Sequence, residues 1–395
     1  MNELDMLING TVKSVLFNKV YEDIQKNIEP IIEEIKTIST IPSPTFYEDK
    51  KADYIKGKFN DLKLDDVKID RLKNVIGTLQ GKGDENFIIC AHIDTVFSNE
   101  TKLKVREVEG KIFCPGIGDN STSVAGMLAL INAFKTAEYI PPYNIIFIAN
   151  SCEEGLGDLK GIKYYLENSD KIEGMISIDG TMTMLSNEGI GSRRLSVTVK
   201  GEGGHSWVDF GNSSAIHAIG SAISKISQID VPKIPKTSFN VGTISGGTSV
   251  NTIAETANML IDIRSVDSEI LIEKEQEIRE LIENAMEEHG TECSIEVVGD
   301  RPSGKIDINN FVVQSVLKSA ELYDVQMKPT PSSTDSNIPL SQSIPSVTFG
   351  IYSGGGAHTL NEYIEPESLK KGLPILALSV LTILDQISGT SKEFP

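Results

Sequence analysis

The residues best suited to chemistry in this chain are histidines and acidic side chains that follow apolar segments. His92 and Asp94 stand in the segment AHIDTVF, and Asp119 stands in the glycine-rich segment PGIGDNSTSVAG. Two adjacent acids, Glu153 and Glu154, follow the apolar run IIFIANSC. Imidazole nitrogens and carboxylate oxygens are common ligands of zinc and related divalent ions. The residue types therefore indicate metal chemistry.

Two further candidates extend this set. Asp179 ends the apolar segment MISID, and His358 lies in the glycine-rich segment GGGAHTLNE. Taken singly, each candidate has an ordinary structural explanation, such as a polar turn, a helix cap or a solvated pair of acids. Together they recur wherever a predicted core element gives way to a loop. We therefore predict a set of metal ligands made of His92, Asp119, Glu154, Asp179 and His358.

The size of this ligand set predicts two ions. Two histidines and three carboxylates are too many for one tetrahedral zinc, and they suit paired ions ~3.5–4 Å apart with an aspartate between them. Glu153 is then left beside the ions, which is the place of a general base for a metal-held water. We expect Asp94 to orient His92, because ligating imidazoles usually contact a carboxylate through their outer nitrogen.

The elements that must position these residues form an α/β layer. Short apolar runs bounded by loops predict strands buried on both faces, which alternate with helices. In the first part of the chain we predict strands at residues 74–79, 86–91, 144–149 and 174–178 and helices at 22–40, 123–136 and 161–167. Ligands gather at the carboxyl ends of strands in open α/β sheets, so a largely parallel sheet would bring the candidates to one edge.

A second pattern begins near residue 190. The order strand, helix, strand, strand, helix, strand predicts a ferredoxin-like α+β module at residues 191–303. Its predicted strands are 195–200, 237–244, 257–264 and 292–298, and its predicted helices are 213–227 and 267–288. The larger domain is then made of residues 1–190 and 304–395, and it resumes with a helix at 310–322, a strand at 346–349 and an apolar terminal helix that includes 373–384.

Composition narrows the classes of function. The chain has 395 residues with 37 basic and 56 acidic side chains, a net charge of −19. Such an acidic protein repels phosphate backbones and anionic lipids, so we expect neither a nucleic-acid partner nor a membrane partner. The four cysteines form no CxxC pair, and the N-terminus has no signal-peptide pattern. These features predict a protein of the reducing cytoplasm.

Seven motifs give the chain a specific resemblance. They are AHIDTV, GIGDNSTSVAG, SCEEGLGDLKG, ISIDG, GGHSW, GGTSVNTIAETANMLIDIRS and GGGAHTLNEYIE. Their content and order resemble the dinuclear-zinc family of peptidase T, cytosolic dipeptidases, glutamate carboxypeptidases, aminoacylase and succinyl-diaminopimelate desuccinylase. The resemblance implies that His92 and Asp179 hold one zinc, that Glu154 and His358 hold the other, and that Asp119 bridges them. It also implies a cis peptide after Asp119.

The resemblance assigns roles within the inserted module as well. It implies a lid and dimerisation domain in which His205 steadies the tetrahedral intermediate, often in the neighbouring subunit's site. Asn251 and Arg264 resemble groups that bind the substrate's backbone and carboxylate. We therefore expect a homodimer formed through the lid. His217 and His289 are expected to be structural, and Cys90 and Cys152 are expected to be packing residues.

The predicted activity is zinc-dependent hydrolysis of an amide bond in short peptides, of the peptidase T (tripeptide aminopeptidase) type. A water between the two ions would attack the carbonyl while Glu153 acts as general base. Cobalt and manganese are alternatives to zinc. Hydrolysis of N-acyl amino acids, as by an aminoacylase or desuccinylase, is the second interpretation. A non-catalytic metal-binding member of the family is an alternative of another class.

Overall fold

The first segment of the chain builds most of the site-bearing domain. A computed structural model describes residues 3–390. The helices of this segment are α1 (Glu3–Val12), α2 (Val15–Lys26), α3 (Ile28–Ser39), α4 (Asp49–Asp61), α5 (Ser123–Thr136) and α6 (Lys160–Glu167). Its strands are β1 (Asp65–Ile69), β2 (Val75–Leu79), β3 (Asn86–His92), β4 (Arg106–Val108), β5 (Lys111–Phe113), β6 (Asn144–Asn150), β7 (Ile172–Ile178), β8 (Met184–Ser186) and β9 (Glu188–Gly189).

The remaining elements belong to the insertion and to the return of the chain. The middle of the chain contains β10 (Gly191–Lys200), β11 (Gly204–His205), α7 (Ala215–Ile226), β12 (Thr237–Gly246), β13 (Thr252–Ile253), β14 (Thr256–Ser265), α8 (Ser268–His289) and β15 (Glu292–Arg301). The last part contains β16 (Gly304–Lys305), α9 (Phe311–Glu321), β17 (Lys328–Pro329), α10 (Asn337–Ser341), β18 (Ser346–Phe349), β19 (Ser353–Gly355), β20 (Tyr363–Glu365) and α11 (Leu369–Thr390).

The chain divides into two compact units. One unit consists of Met1–Gly189 and Lys305–Pro395, and the other consists of Ile190–Gly304. We call them the catalytic unit, after the role that the resemblance implies for it, and the inserted unit. The predicted fold class is confirmed. The catalytic unit has a mainly parallel sheet flanked by helices, and an α+β unit is inserted into its chain.

The central sheet of the catalytic unit has eight strands in the order β1-β2-β6-β3-β7-β18-β8-β17. Strand β3 pairs in parallel with both β6 and β7, and β18 pairs in parallel with β7. Alternate side chains of β3 enter opposite cores: Phe87 and Ile89 join the larger apolar cluster, whereas Ile88 and Cys90 join the smaller one beneath α6. Burial on both faces explains why these strands are nearly continuous apolar runs.

Helix α11 is the buried terminal helix that the sequence predicts, but it is longer than expected. We predicted a buried terminal helix around a 12-residue apolar run, 373–384, too short for a membrane span. In the described chain, however, the helical segment Pro366–Gly389 has the length and mean hydropathy of a span, and 78% of its most apolar window is buried within the protein. Leu373, Leu376 and Leu384 lie in the larger core cluster. The burial favours a core helix of the catalytic unit.

The inserted unit is a four-stranded antiparallel sheet with two helices. Its strand order is β12-β14-β10-β15, and the four strands alternate with helices as a ferredoxin-like module requires. Helices α7 and α8 cover one face with residues such as Ile219 and Ile282, which form a core cluster with the strands. A short ribbon of β11 and β13 extends from the module.

Candidate metal centre

The ends of three neighbouring strands bring the candidate ligands together. His92 is the last residue of β3 and lies opposite Asn150, the last residue of β6. Glu153 and Glu154 follow β6, and Asp179 directly follows β7. Because the three strands are parallel, their carboxyl ends meet at one edge of the sheet. The local sequence thus places donors from three loops side by side.

The carboxylate of Asp119 lies between the two histidines. Its Oδ1 is 3.0 Å from Nε2 of His92, and its Oδ2 is 2.9 Å from Nε2 of His358. Nε2 of His358 is also 3.1 Å from Oε1 of Glu154, while Nε2 of His92 is 4.0 Å from Oδ1 of Asp179. Each carboxylate oxygen of Asp119 therefore faces a different histidine.

The donor atoms form groups of the size that a metal ion needs. Atoms of His92, Asp119 and Asp179 lie within 4.8 Å of one another, and so do atoms of Asp119, Glu154 and His358. The two groups share Asp119, which is the arrangement that the resemblance implies for two ions with one bridging carboxylate. Glu153 joins His92 and Glu154 in a third group. The Asp119–Asn120 peptide is cis, as predicted.

The electrostatics of this cluster favour a cation. Burial, followed by the charge of Asp119, raises the pKa of Asp179 to about 7. Hydrogen bonds to Asp119 and Glu154 raise the pKa of His358 to about 10. Burial opposes the charged form of His92, yet its contacts with Asp119 and Asp94 raise its pKa well above the usual value. Carboxylates that favour protonated neighbours so strongly also favour a divalent ion, so the residues fit the implied metals.

Asp94 connects the first histidine to the pair of glutamates. It is fully buried, and its Oδ1 lies 3.6 Å from Nδ1 of His92. The backbone N–H groups of Glu153 and Glu154 donate to its two oxygens, each at 2.9 Å, and the hydroxyl of Thr45 donates to Oδ2 at 2.9 Å. Asp94 therefore fixes the loop after β6 as well as facing His92, a wider role than the sequence predicts.

A second buried carboxylate, Glu362, is missing from the sequence-based prediction. Its side chain accepts three backbone N–H bonds of 2.7–2.8 Å from Gly116, Gly118 and Asp119. It thereby holds the loop that carries the central aspartate. Burial raises the pKa of Glu362 to about 7, against the lowering effect of these N–H groups. The only signal in the sequence is an acid four residues after His358, inside the motif GGGAHTLNEYIE.

Helix α4 and its N-cap residue supply two more buried ionisable groups that sequence reasoning missed. Lys51 is 2% exposed, and its burial lowers the pKa of the ammonium to about 8 although Asp94, Cys114 and Glu362 favour its charged form. Glu48 is fully buried, and its Oε1 accepts the backbone N–H of Cys152 at 3.3 Å. The sequence around these two residues has no apolar periodicity that would predict their burial. Through its hydrogen bond, Glu48 contacts the loop that carries Glu153 and Glu154.

In the inserted unit, His205 and Asn251 share one short ribbon. The N–H of Ser206 donates to the carbonyl of Asn251 at 3.0 Å, next to the pairing of β11 with β13. Nδ1 of His205 accepts the N–H of Trp207 at 3.2 Å. In a neutral imidazole the other nitrogen then carries the proton, so Nε2 of His205 is available as a donor.

Arg264 lies at the other end of the inserted sheet. It pairs with Ser192 in β10, whereas the opposite end of β14, Thr256, pairs with Lys200 near the ribbon. Eight residues of strand correspond to roughly 26 Å. Nε of Arg264 donates to Asp262 at 2.6 Å. One inserted unit therefore does not bring Arg264 and His205 together.

The chain belongs to the peptidase family M20/M25/M40, whose profile matches residues 88–382. It is therefore an amidohydrolase, and its family confirms the resemblance read from the seven motifs. The chain is 25% identical to the YqjE protein of Bacillus subtilis over 370 residues, covering 87% of this chain and 96% of YqjE. It is 24% identical to acetylornithine deacetylase of Buchnera aphidicola over 303 residues, covering 72% of this chain and 77% of that enzyme.

Solved structures share the fold at lower identity. The chain superposes on a tripeptidase of Staphylococcus aureus with a TM-score of 0.76 at 23% identity, covering 91% of this chain and 99% of the other. Aminopeptidase PepT of Bacillus cereus gives 0.74 at 22% identity with the same coverage. YXEP of Bacillus subtilis, a dinuclear metal-binding peptidase, gives 0.68 at 19% identity, covering 91% and 99%. Together with the donor groups, these relationships support a site for divalent metal ions.

Proposed function

We propose that this protein hydrolyses the amide bond of short peptides, as a peptidase T-like aminopeptidase with two divalent ions per chain. One observation carries the proposal: the carboxylate of Asp119 contacts one histidine through each oxygen, 3.0 Å from His92 and 2.9 Å from His358. A carboxylate placed between two matching sets of donors suits a paired metal site. The similarity to a tripeptidase and to PepT favours short peptides over other amides.

The protein's own residues divide the work of hydrolysis. When bound, divalent ions would supply Lewis acidity that lowers the pKa of water and polarises a carbonyl. In our proposal His92, Asp119, Glu154, Asp179 and His358 hold the ions. Glu153 accepts a proton from the attacking water and delivers it to the leaving amine. Its backbone N–H bonds to the buried carboxylate of Asp94, which keeps the loop of this base in place.

Zinc is the metal that we propose, with cobalt and manganese as alternatives. Imidazole with carboxylate is a donor set that zinc takes readily, whereas magnesium and calcium prefer oxygen ligands alone. Elemental analysis of protein prepared without chelator tests the stoichiometry, and two ions per chain is the expected result.

The four cysteines are free in the structure. This agrees with the reducing cytoplasm, where we place the protein.

We further propose a homodimer formed through the inserted unit. In this arrangement Arg264 and Asn251 bind the substrate, and His205 stabilises the oxyanion in the site of the neighbouring subunit. The separation of roughly 26 Å along β14 supports the sharing, since it lets the ribbon and Arg264 serve different sites. The protonated Nε2 expected for His205 is suited to donating to an oxyanion.

Substitution of the adjacent glutamates tests the proposal. Glu153→Ala should keep its metals and lose about two to four orders of magnitude in kcat, because it removes the general base. Glu154→Ala should lose metal affinity instead, because it removes a ligand. The measurements are metal content after dialysis and hydrolysis of a tripeptide. Loss of metal in Glu153→Ala with retention in Glu154→Ala would reverse the two roles.

Removal of N-acyl groups from amino acids is a second candidate function. Its support is the similarity to acetylornithine deacetylase over 303 residues. The residues proposed for amide cleavage serve both reactions, so substrate profiling must separate them. Parallel assays with tripeptides, dipeptides and N-acetyl amino acids would favour this function if only the acylated compounds were cleaved.

A further inference from the structure

Large exposed apolar side chains occur in the loops of the candidate metal centre. Phe46 is 45% exposed, Val96 is 44%, Leu156 is 52% and Leu360 is 64%. We call these four side chains the apolar rim. Single exposed apolar residues are ordinary on protein surfaces. The rim differs because all four members lie in loops that carry or support the proposed ligands.

The chain positions each rim residue through a neighbouring residue of the site. Val96 follows Asp94 by two residues, Leu156 follows Glu154 by two, and Leu360 follows His358 by two. Phe46 follows Thr45, whose hydroxyl donates to Oδ2 of Asp94 at 2.9 Å. The rim is thus attached to the loops that carry the proposed ligands and their supporting carboxylate.

Contacts between these loops fix three of the rim residues. Thr95, which precedes Val96, donates its backbone N–H to the carbonyl of Ser43 at 2.9 Å. Nζ of Lys160 lies 5.1 Å from the centre of the Phe46 ring and 3.4 Å from the carbonyl oxygen of Leu156. One lysine therefore joins the loop of Phe46 to the loop of Leu156. A rim held in this way presents a preformed apolar surface.

The apolar surface of the rim does not favour an acidic substrate side chain. The ammonium of Lys73 donates to the carbonyl of the rim residue Phe46 at 2.8 Å and to the carboxylate of Asp49 at 2.6 Å. The ammonium of Lys160 is engaged with an aromatic face and a carbonyl. A carboxylate brought against the rim would lose hydration, whereas an apolar side chain would remove rim surface from water.

We propose that the apolar rim contacts an apolar side chain of the substrate's first residue, next to the scissile amide bond. This inference rests on the proposed function and names its substrate class: short peptides that begin with a bulky apolar residue. The rim residues act as specificity-determining residues, because they touch the substrate and leave the reacting atoms to the metal centre.

Matched tripeptides test the proposal. The metal-loaded protein should hydrolyse Leu-Gly-Gly with a kcat/KM roughly tenfold above that of Gly-Gly-Gly and further above that of Glu-Gly-Gly, the scale expected for a few buried methylenes. The double variant Phe46→Ser, Leu156→Ser should lose most of this preference, measured as the ratio of its kcat/KM values for Leu-Gly-Gly and Gly-Gly-Gly. Ile140→Ser is the control, because Ile140 is 62% exposed but lies before β6, at the opposite end of that strand.

Two results would overturn the inference while leaving the proposed function intact. Equal kcat/KM values for the three tripeptides would show that the rim does not select the first side chain of the substrate. A Leu preference that the double variant keeps would place the specificity elsewhere. If no tripeptide is cleaved, the proposed function fails, and binding of hydroxamates decides the inference by itself. Leucine hydroxamate should bind the metal-loaded protein roughly tenfold more tightly than glycine hydroxamate, with the difference lost in the double variant; equal binding overturns the inference.

Discussion

Three backbone N–H groups depend on the carboxylate of Glu362. We expect Glu362→Gln to weaken metal binding by about 10–100-fold, the usual scale for outer-sphere partners. The amide replaces one acceptor oxygen with a donor, which would face an N–H group of the Asp119 loop. Titration against a chelating dye measures the change. Glu365→Gln, whose side chain is 46% exposed in β20, is the matched control, and equal affinities in both variants would contradict the role of Glu362.

The buried ammonium of Lys51 should give the protein an unusual alkaline response. Its pKa is about 8 in the folded chain, against about 10.4 for an unfolded lysine. Between these values the unfolded state holds one more proton, so the free energy of unfolding rises with pH. The expected gain is about 3 kcal/mol relative to Lys51→Met, measured by urea unfolding of the chelated protein between pH 7.5 and 10.5.

Lys58→Met is the control for this measurement, since Lys58 lies in the same helix with its side chain 33% exposed. Burial opposes its charge, but contacts with Glu34 and Tyr54 raise its pKa, so Lys58 should give no such gain in this window. If the difference in the free energy of unfolding between the wild type and Lys51→Met stayed constant across the pH range, the pKa of Lys51 would not be lowered in the folded protein.

Helix α6 and the loop that carries the glutamates approach at Gly161. A Cβ at this position would lie 2.2 Å from the carbonyl oxygen of Ser151 and 2.5 Å from Oδ1 of Asn74. Gly161→Ala should therefore destabilise the protein by about 1–3 kcal/mol and weaken metal binding, because the loop must move. Gly57→Ala, with no atom within 4 Å in α4, should instead stabilise it by about 0.5–1 kcal/mol. Urea unfolding compares the two, and equal effects would contradict the packing argument.

The central strands could be predicted from sequence because their signal is local. Residues 86–91 and 174–178 are apolar on both faces, and the structure extends them only to Asn86–His92 and Ile172–Ile178. The predicted helix at residues 22–40 is instead two helices that meet at Asn27. Isoleucines continue with helical spacing across this break and conceal it. Pro30, in the first turn of α3, is the signal that favoured a new helix start.

Elements defined by distant pairing escaped prediction. Strands β4 and β5 have three residues each, and β5 pairs with β20, which comes near the end of the chain. Such short strands carry no periodicity. The presence or absence of a local apolar pattern also explains which site residues were predicted and which were missed. His92 ends one long apolar strand and Asp179 directly follows another, whereas Lys51 and Glu362 lie in segments without an apolar pattern that would predict their burial.

Sharing of sites between subunits is a prediction about the whole molecule. A mixture of His205→Ala and Glu153→Ala subunits, dissociated and reassembled, should recover up to about one quarter of the wild-type activity if each site takes His205 from its neighbour. This follows because half the dimers are mixed, and one of their two sites then has both residues. Activity of the mixture is compared with that of each variant reassembled alone. No recovery would indicate that each subunit works by itself.

The position of β18 has a consequence for the order of events during synthesis. This strand lies between β7 and β8 in the central sheet, but the whole inserted unit precedes it in the chain. The inserted unit has its own core and all its strands once residue 304 has left the ribosome. Until β18 follows, the edge of β7 stays unpaired, and an open apolar edge invites aggregation. The nascent chain therefore has to be protected at the open edge of the strand that precedes Asp179.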